Sequence, residues 1–365
     1  TTVIAWIDRR KERWMKGEAR YRNILKHNLH YIVIGGNDVV IGIVKQLLEE
    51  VDTDNPYILI QTSRDVELFR KKLFSTLNTS QQQRIIIYYG NRTSITDISE
   101  LHLEEAKEVY IIGEDTRADD IESYHDTMNM ECLNLLLENY KTSTKGVHIS
   151  NTLPKVKEYR TLLANATGKE EINKIRKEYQ KIENLWSKRE QLKCRVMFEY
   201  QTTFSVFQFY DIEEDVDAFI DFRPFNYYEI WAQKVLINKE CNTERLIDNF
   251  KNPHNYMPLE GPDGIGINDD NYVHIFIVGM SRMGVAMGIE TAHLAHYPNY
   301  EQKKIRTKIT FIDKNADEEK DFFMGRFPDL FKLCKWTDVD GKVHNWYAPT
   351  CNEYQYFEKN FLDIE

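Results

Sequence analysis

The sequence predicts an α/β chain built on doubly wound parallel sheets, arranged in tandem. Three observations carry that expectation. Short, continuously apolar runs alternate with amphipathic stretches along the first 140 residues. Two such runs, far apart, each open into a helical pattern through glycine. Finally, 365 residues exceed what one ordinary core accommodates.

Taken in order, residues 1–28 form a basic leader. Arg9, Arg10, Lys11, Arg13, Lys16, Arg20, Arg22 and Lys26 stand against Asp8, Glu12 and Glu18, a net +5 in a chain of net −10. Helical spacing of Trp6, Ile7, Trp14 and Tyr21 fits a solvated helix, and the charge also fits a juxtamembrane segment, since Lys and Arg collect on the cytosolic side of a span. The chain opens on Thr rather than Met, as a fragment or a processed form does. It has neither a secretory signal nor any run of about 18 apolar residues.

His30-Tyr31-Ile32-Val33-Ile34-Gly35-Gly36 reads as a buried strand, followed by a helix from Val39 to Glu50. Tyr57-Ile58-Leu59-Ile60, Arg84 to Tyr89 and Val109-Tyr110-Ile111-Ile112 repeat the strand signal. The intervening helices are Val66–Leu77 and Ile95–Leu103, with a long one from Asp120 to Tyr140. Strand and helix alternating at this spacing predict βαβ units with right-handed crossovers.

From Asn151 to Gln191 the rhythm breaks. Ile172, Ile175, Tyr179, Ile182 and Trp186 make one stripe on a highly charged helix. A helical hairpin inserted at 151–192 is expected, the stripe packing on Val156, Tyr159 and Leu163 or on another subunit. Strand character returns at Cys194–Tyr200. The first domain is thus expected over 29–250, a turn-rich linker over 251–270, and a second, incomplete domain over 271–365. That second domain has a strand at Val273–Gly279, a helix from Met283 to Leu294, a strand at Lys308–Asp313 and a further strand near Phe361–Glu365.

A dinucleotide turn, G-x-G-x-x-G, needs glycines for a tight bend and for close approach of a pyrophosphate to a helix N-terminus. The first turn, Gly35-Gly36-Asn37-Asp38-Val39-Val40, keeps only the leading glycine. Asn37 crowds a phosphate, Asp38 repels it, and Gln61 stands where an acid would grip a ribose. This turn predicts a nucleotide fold without ordinary dinucleotide binding. The second, Gly279-Met280-Ser281-Arg282-Met283-Gly284, keeps more: Ser281 and Arg282 can meet a phosphate, and Asp313 ends the next strand. An adenine nucleotide, NAD or ATP, is the ligand expected there. A strand-ending Asp is also an ordinary turn residue.

Gly90-Asn91-Arg92-Thr93-Ser94-Ile95 followed by Leu103-Glu104-Glu105-Ala106-Lys107-Glu108-Val109-Tyr110-Ile111-Ile112 resembles the RCK (regulator of potassium conductance) or TrkA-N family. Its pattern runs G-D-x-T, a short helix, then E-E-A-D and an apolar strand. Asn91 and Lys107 depart from it. The G-x-N turn looks like the divergent branch found in large-conductance and Castor/Pollux-type channels. The resemblance implies tandem Rossmann-like domains that assemble into a ring or dimer, hung from a membrane pore on its cytoplasmic face and biased by a ligand. It also favours the juxtamembrane reading of the leader.

Chemistry of other kinds finds little support. An acidic body repels phosphate backbones, which argues against nucleic acid. Five scattered cysteines, with no Cys-x-x-Cys, argue against disulfides and zinc. His27/His30 and His293/His296 lack a third ligand nearby, and the acidic run from Asp211 to Asp217 lacks an EF-hand's glycine and spacing. Tyr300 and Lys304 precede their strand, on the wrong side for hydride chemistry, and Gly168-Lys169 lacks the rest of a P-loop. No enzyme is therefore expected. A nicotinamide-dependent oxidoreductase and a non-catalytic oligomerisation module stand as alternatives.

Overall fold

The structure, a computed structural model, describes residues 2–27, 29–49, 56–114, 124–208, 213–236, 259–261, 263–337, 343–344 and 361–364. The chain divides into two compact units, Thr1–Glu199 with Val206–Phe225, and Tyr200–Ser205 with Asn226–Glu365.

The first unit begins with helices α1 (Thr2–Met15) and α2 (Arg22–His27). It continues through β1 (His30–Gly35), α3 (Asp38–Glu49), β2 (Tyr57–Thr62), α4 (Val66–Phe74) and α5 (Thr79–Gln82). Then come β3 (Ile85–Tyr89), α6 (Ile95–Ser99), β4 (Ala106–Gly113), α7 (Tyr124–Lys141), α8 (Thr144–Asn165) and α9 (Lys169–Ser187). Strand β5 (Leu192–Phe198), α10 (Gln201–Gln208, whose residues up to Ser205 belong to the second unit), α11 (Glu214–Asp217) and β6 (Ile220–Asn226) follow. The six strands form one parallel sheet in the order β3-β2-β1-β4-β5-β6. This is the Rossmann-like α/β arrangement, and its direction of winding reverses between β1 and β4, which is where such sheets bind ligands.

Burial explains why β1 and β2 read as unbroken apolar runs. Ile32, Val33, Ile58, Leu59 and Ile60 have no exposed surface, as strands covered on both faces require. Asp65 caps α4 by accepting from the Leu68 amide, and Ser94 caps α6 by accepting from the Asp97 amide. The α6 helix stops at Ser99, and a 3-10 turn at Leu103–Glu105 leads directly into β4, three residues before the strand expected at Val109. The expected start of the next helix at Asp120 lies outside the described residues.

Helix α8 starts at Thr144, capped by Ser143, and carries Pro154 in its interior. The hairpin expected at 151–192 thus starts seven residues earlier, at Thr144. An interior proline costs about 3 kcal/mol, and burial of Ile149, Leu153, Val156 and Tyr159 on the same helix offsets it. The α9 stripe is half-buried and packs on α8, with the Tyr159 and Tyr179 rings stacked at 5.3 Å.

The leader is fastened to the sheet edge. The Tyr89 amide donates to the Gly17 carbonyl at 2.9 Å, and Arg20 bridges the Gly17 and Tyr89 carbonyls at 2.7 and 3.1 Å. Arg70 of α4, only 5% exposed, donates to the Trp14 and Met15 carbonyls and lies 4.0 Å over the Trp14 ring. Arg22 pairs with Glu100. Trp6 and Ile7 remain exposed.

The second unit contains α12 (Tyr227–Leu236), β7 (His274–Val278), α13 (Arg282–Leu294) and α14 (Asn299–Lys303). It then has β8 (Lys308–Ile312), α15 (Ala316–Arg326), α16 (Pro328–Leu333), β9 (Trp336–Thr337), β10 (Val343–His344) and β11 (Phe361–Ile364). Helix α12 packs on α13, and the second compact unit takes up the chain at Asn226; residues 251–258 and 262 of the expected linker at 251–270 lie outside the described residues. The sheet order is β10-β9-β11-β8-β7, and of its pairings only β7 with β8 is parallel. The expected parallel sheet is thus limited here to one strand–helix–strand unit, and β11 returns antiparallel to β8. Phe311, Phe323, Phe331 and Trp336 pack edge to face through the core.

Candidate functional site

The candidate sites are the two glycine turns. Each lies at the carboxyl end of its first strand, where backbone amides at a helix N-terminus can meet an anion.

At the first turn, Gly35 has φ +138° and packs so closely on Gly113 that any side chain would overlap the Gly113 carbonyl. Asn37 is buried, and its Oδ1 accepts from the Val40 amide at 3.3 Å, which closes the first turn of α3. Asp38 turns outward to Lys72, 2.5 Å away. Side chains of the chain itself crowd Gly36. Glu114, one residue beyond β4, has Oε2 2.6 Å from where a Cβ on Gly36 would stand. Its carboxylate accepts from the Thr62 hydroxyl and the Ser63 amide, both at 2.9 Å, and faces Arg64 at 3.5 Å. Asn37 and Gln61 are both buried, and the acid that meets Gly36 is Glu114.

Behind the turn is a buried polar cluster. Arg92 Nη1 donates to Asn129 Oδ1 at 2.8 Å, and Asn129 Nδ2 donates to the Met197 carbonyl at 2.8 Å. Asp126 Oδ1 accepts from the Glu199 amide at 2.7 Å and lies 3.2 Å from His125 Nδ1. His125 Nε2 is buried with no hydrogen-bond partner and would stand 2.5 Å from a Cβ on Gly113. Burial disfavours the charged form of Arg92. The sequence reading missed all of these residues. One signal was available: Asp126 and Asn129 interrupt the otherwise apolar face of α7 formed by Cys132, Leu133, Leu136, Leu137 and Tyr140.

The second turn has kept the glycine functions. Gly279 has φ +98°, and a side chain on Gly284 would overlap the Gly279 carbonyl, so strand and helix approach as closely as in a dinucleotide turn. Gly288 approaches the Phe311 ring in the same way. Ser281 caps α13, its Oγ accepting from the Gly284 amide at 3.4 Å. Asp313 accepts from the Asn315 and Met280 amides at 2.9 and 2.8 Å, and these two bonds hold its carboxyl below the usual range. Arg282 engages Tyr200: Nη2 donates to the Tyr200 hydroxyl at 2.5 Å and the guanidinium lies 4.5 Å from the Tyr200 ring centre. The structure therefore gathers Gly279, Ser281, Gly284 and Asp313 at one turn and pairs Arg282 with Tyr200. Among the described residues, no heavy atom lies within 4 Å of where a Cβ on Gly279 would stand, in contrast to Gly36 of the first turn.

Among the described residues, no group of three His, Cys, Asp or Glu side chains could hold a metal ion. His30 is fully buried with Nε2 3.0 Å from the Leu101 carbonyl, which accounts for it without a metal. Among the described residues no helix is long and apolar enough to cross a membrane. No protein-family model matches the chain, and no curated protein matches its sequence.

Proposed function

We propose that this chain is a ligand-sensing regulatory portion of a cation transport system, lying at the cytoplasmic face of a membrane. On this reading it is a pair of Rossmann-like domains, the first carrying the α8–α9 hairpin as an insertion and the second completed by other segments. It works in a homo-oligomer beside a membrane pore.

The observation that carries the reading is the fastening of the basic leader to β3. A helix with exposed Trp6 and Ile7 and a surplus of Arg and Lys suits the interface of a membrane. Through Gly17, Arg20 and Arg70 its end is joined to the edge of a six-stranded sheet. A change in that sheet is thereby transmitted to the leader, which is what a gating module needs. The crowded first turn supports regulation over chemistry, because a carboxylate beside Gly36 disfavours a dinucleotide phosphate there. The open second turn is the proposed adenine-nucleotide position.

Expression of the complete gene in a bacterial host deficient in potassium uptake tests the reading. Restored growth at low potassium is expected; no restoration with well-expressed protein removes the reading. The glycine geometry at Gly279 and Gly284 also suits a nicotinamide-dependent oxidoreductase. Hydride transfer by the purified chain, abolished by Gly284→Val, would establish that second reading instead.

A further inference from the structure

The second unit contains a cavity of about 580 Å³ at the opposite end of its sheet from the glycine turn. It opens between the last turns of α13, the amino end of β8 and the end of α16. Ala292, Ala295, Ile309 and Leu333 supply apolar walls, and Tyr272, Tyr297 and Tyr300 supply rings. The volume lies in the range that holds a small organic molecule, and the mixture of apolar wall with few polar groups is that of a ligand pocket.

The polar groups narrow the ligand's chemistry. The Thr291 and Thr307 hydroxyls donate to the Met287 and Ala295 carbonyls, each at 2.7 Å. The Asn299 amide donates to the Asp269 and Asn271 carbonyls, and the Tyr297 hydroxyl to Glu260 at 3.4 Å. Those donors are committed within the protein. The Arg306 guanidinium is not: half-buried in the lining, it has the Tyr300 ring at 5.8 Å and no hydrogen-bond or ion-pair partner among the described residues. Glu301, the one acidic side chain among the described lining residues, is exposed and makes no ion pair with Arg306. A guanidinium against an apolar wall is satisfied by an anion, with two parallel hydrogen bonds to a carboxylate. We infer that the cavity is a binding site for a small aromatic carboxylate, its ring against Tyr272, Tyr297 and Ala292 and its anionic group on Arg306. The site is separate from the nucleotide turn and independent of the function proposed above.

Fluorescence titration of the full chain with 1-anilinonaphthalene-8-sulfonate, an aromatic anion, and N-phenyl-1-naphthylamine, its neutral relative, tests the assignment. The anionic probe binds with one-to-one saturation and is not displaced by ATP. Arg306→Gln weakens it about tenfold, the loss expected for a charge-assisted hydrogen bond, and leaves the neutral probe within twofold. Arg306→Lys restores much of the difference. Ala292→Trp fills the cavity and abolishes both probes. Cys334 also lines the cavity, so its maleimide labelling, read by peptide mass spectrometry, slows at least fivefold when the anionic probe is bound. The inference fails if neither probe binds saturably, if Arg306→Gln and Arg306→Lys weaken both probes equally, or if Cys334 labels at the same rate with and without probe.

Discussion

Gly17→Val strikes the joint between leader and sheet. Gly17 has φ +72°, a conformation that a β-branched residue adopts at about 1–2 kcal/mol. Its Cβ would stand 2.6 Å from the Tyr89 backbone nitrogen and 3.0 Å from Val66 Cγ2, so the segment must move off β3. That movement breaks the 2.9 Å bond from the Tyr89 amide to Gly17, worth about 1 kcal/mol net. The loss sums to about 2–3 kcal/mol of local protection, up to roughly a hundredfold in an opening equilibrium. Amide hydrogen exchange measures this directly, because local opening and global unfolding separate in such data. The Tyr89 amide exchanges up to about a hundredfold faster in the variant, while the amides of Ile32 and Val33, buried in β1, keep their protection. Unchanged exchange at Tyr89 would refute the joint and, with it, the main support for leader-coupled gating. Acceleration across β1 as well would mean a general loss of stability.

Glu114→Ala removes the acceptor for Thr62 and Ser63, and lowers stability in urea by about 1–3 kcal/mol; no loss would show that the carboxylate is not the closing group of the first turn. Gly284→Val pushes α13 off β7 at the Gly279 carbonyl and removes any thermal shift given by ATP or NAD; a retained shift would place nucleotide elsewhere. Glu229 is raised to about 6, first by burial and then by Glu290. Its sign is the less usual one for a carboxylate, since the folded value lies above the unfolded one. Its penalty is therefore absent below about 4.5 and grows as pH rises through 6. Glu229→Gln stabilises by about 1 kcal/mol at pH 8, after allowance for partial exposure, and by nothing at pH 4. Equal effects at the two pH values would refute the assignment.

Much of the fold was legible because both sheets begin with signals that are local. Ile32, Val33 and Ile58 to Ile60 are apolar without alternation because they are buried on both faces. Gly279 and Gly284 announce a turn because only glycine fits there. What escaped depends on partners distant in sequence. Glu114 resembles any acid that follows an apolar strand, and its importance comes from Thr62 and Ser63, about fifty residues earlier. Arg92 reads as one more surface cation until the fold sets it against Asn129 beneath Gly113. Arg282 looked like a phosphate ligand, but Tyr200, some eighty residues away, holds it. The antiparallel return of β11 to β8 also has no local signal, because a four-residue strand carries no direction.

Rubidium flux into proteoliposomes containing the complete gene product, followed with and without ATP or NAD, tests the regulatory reading most directly. The expected result is a flux whose rate changes several-fold with nucleotide, with that response lost in Gly17→Val and in Gly284→Val while basal flux persists. A membrane-reconstituted product that passes no cation, or whose flux ignores both nucleotide and Gly17→Val, would contradict it.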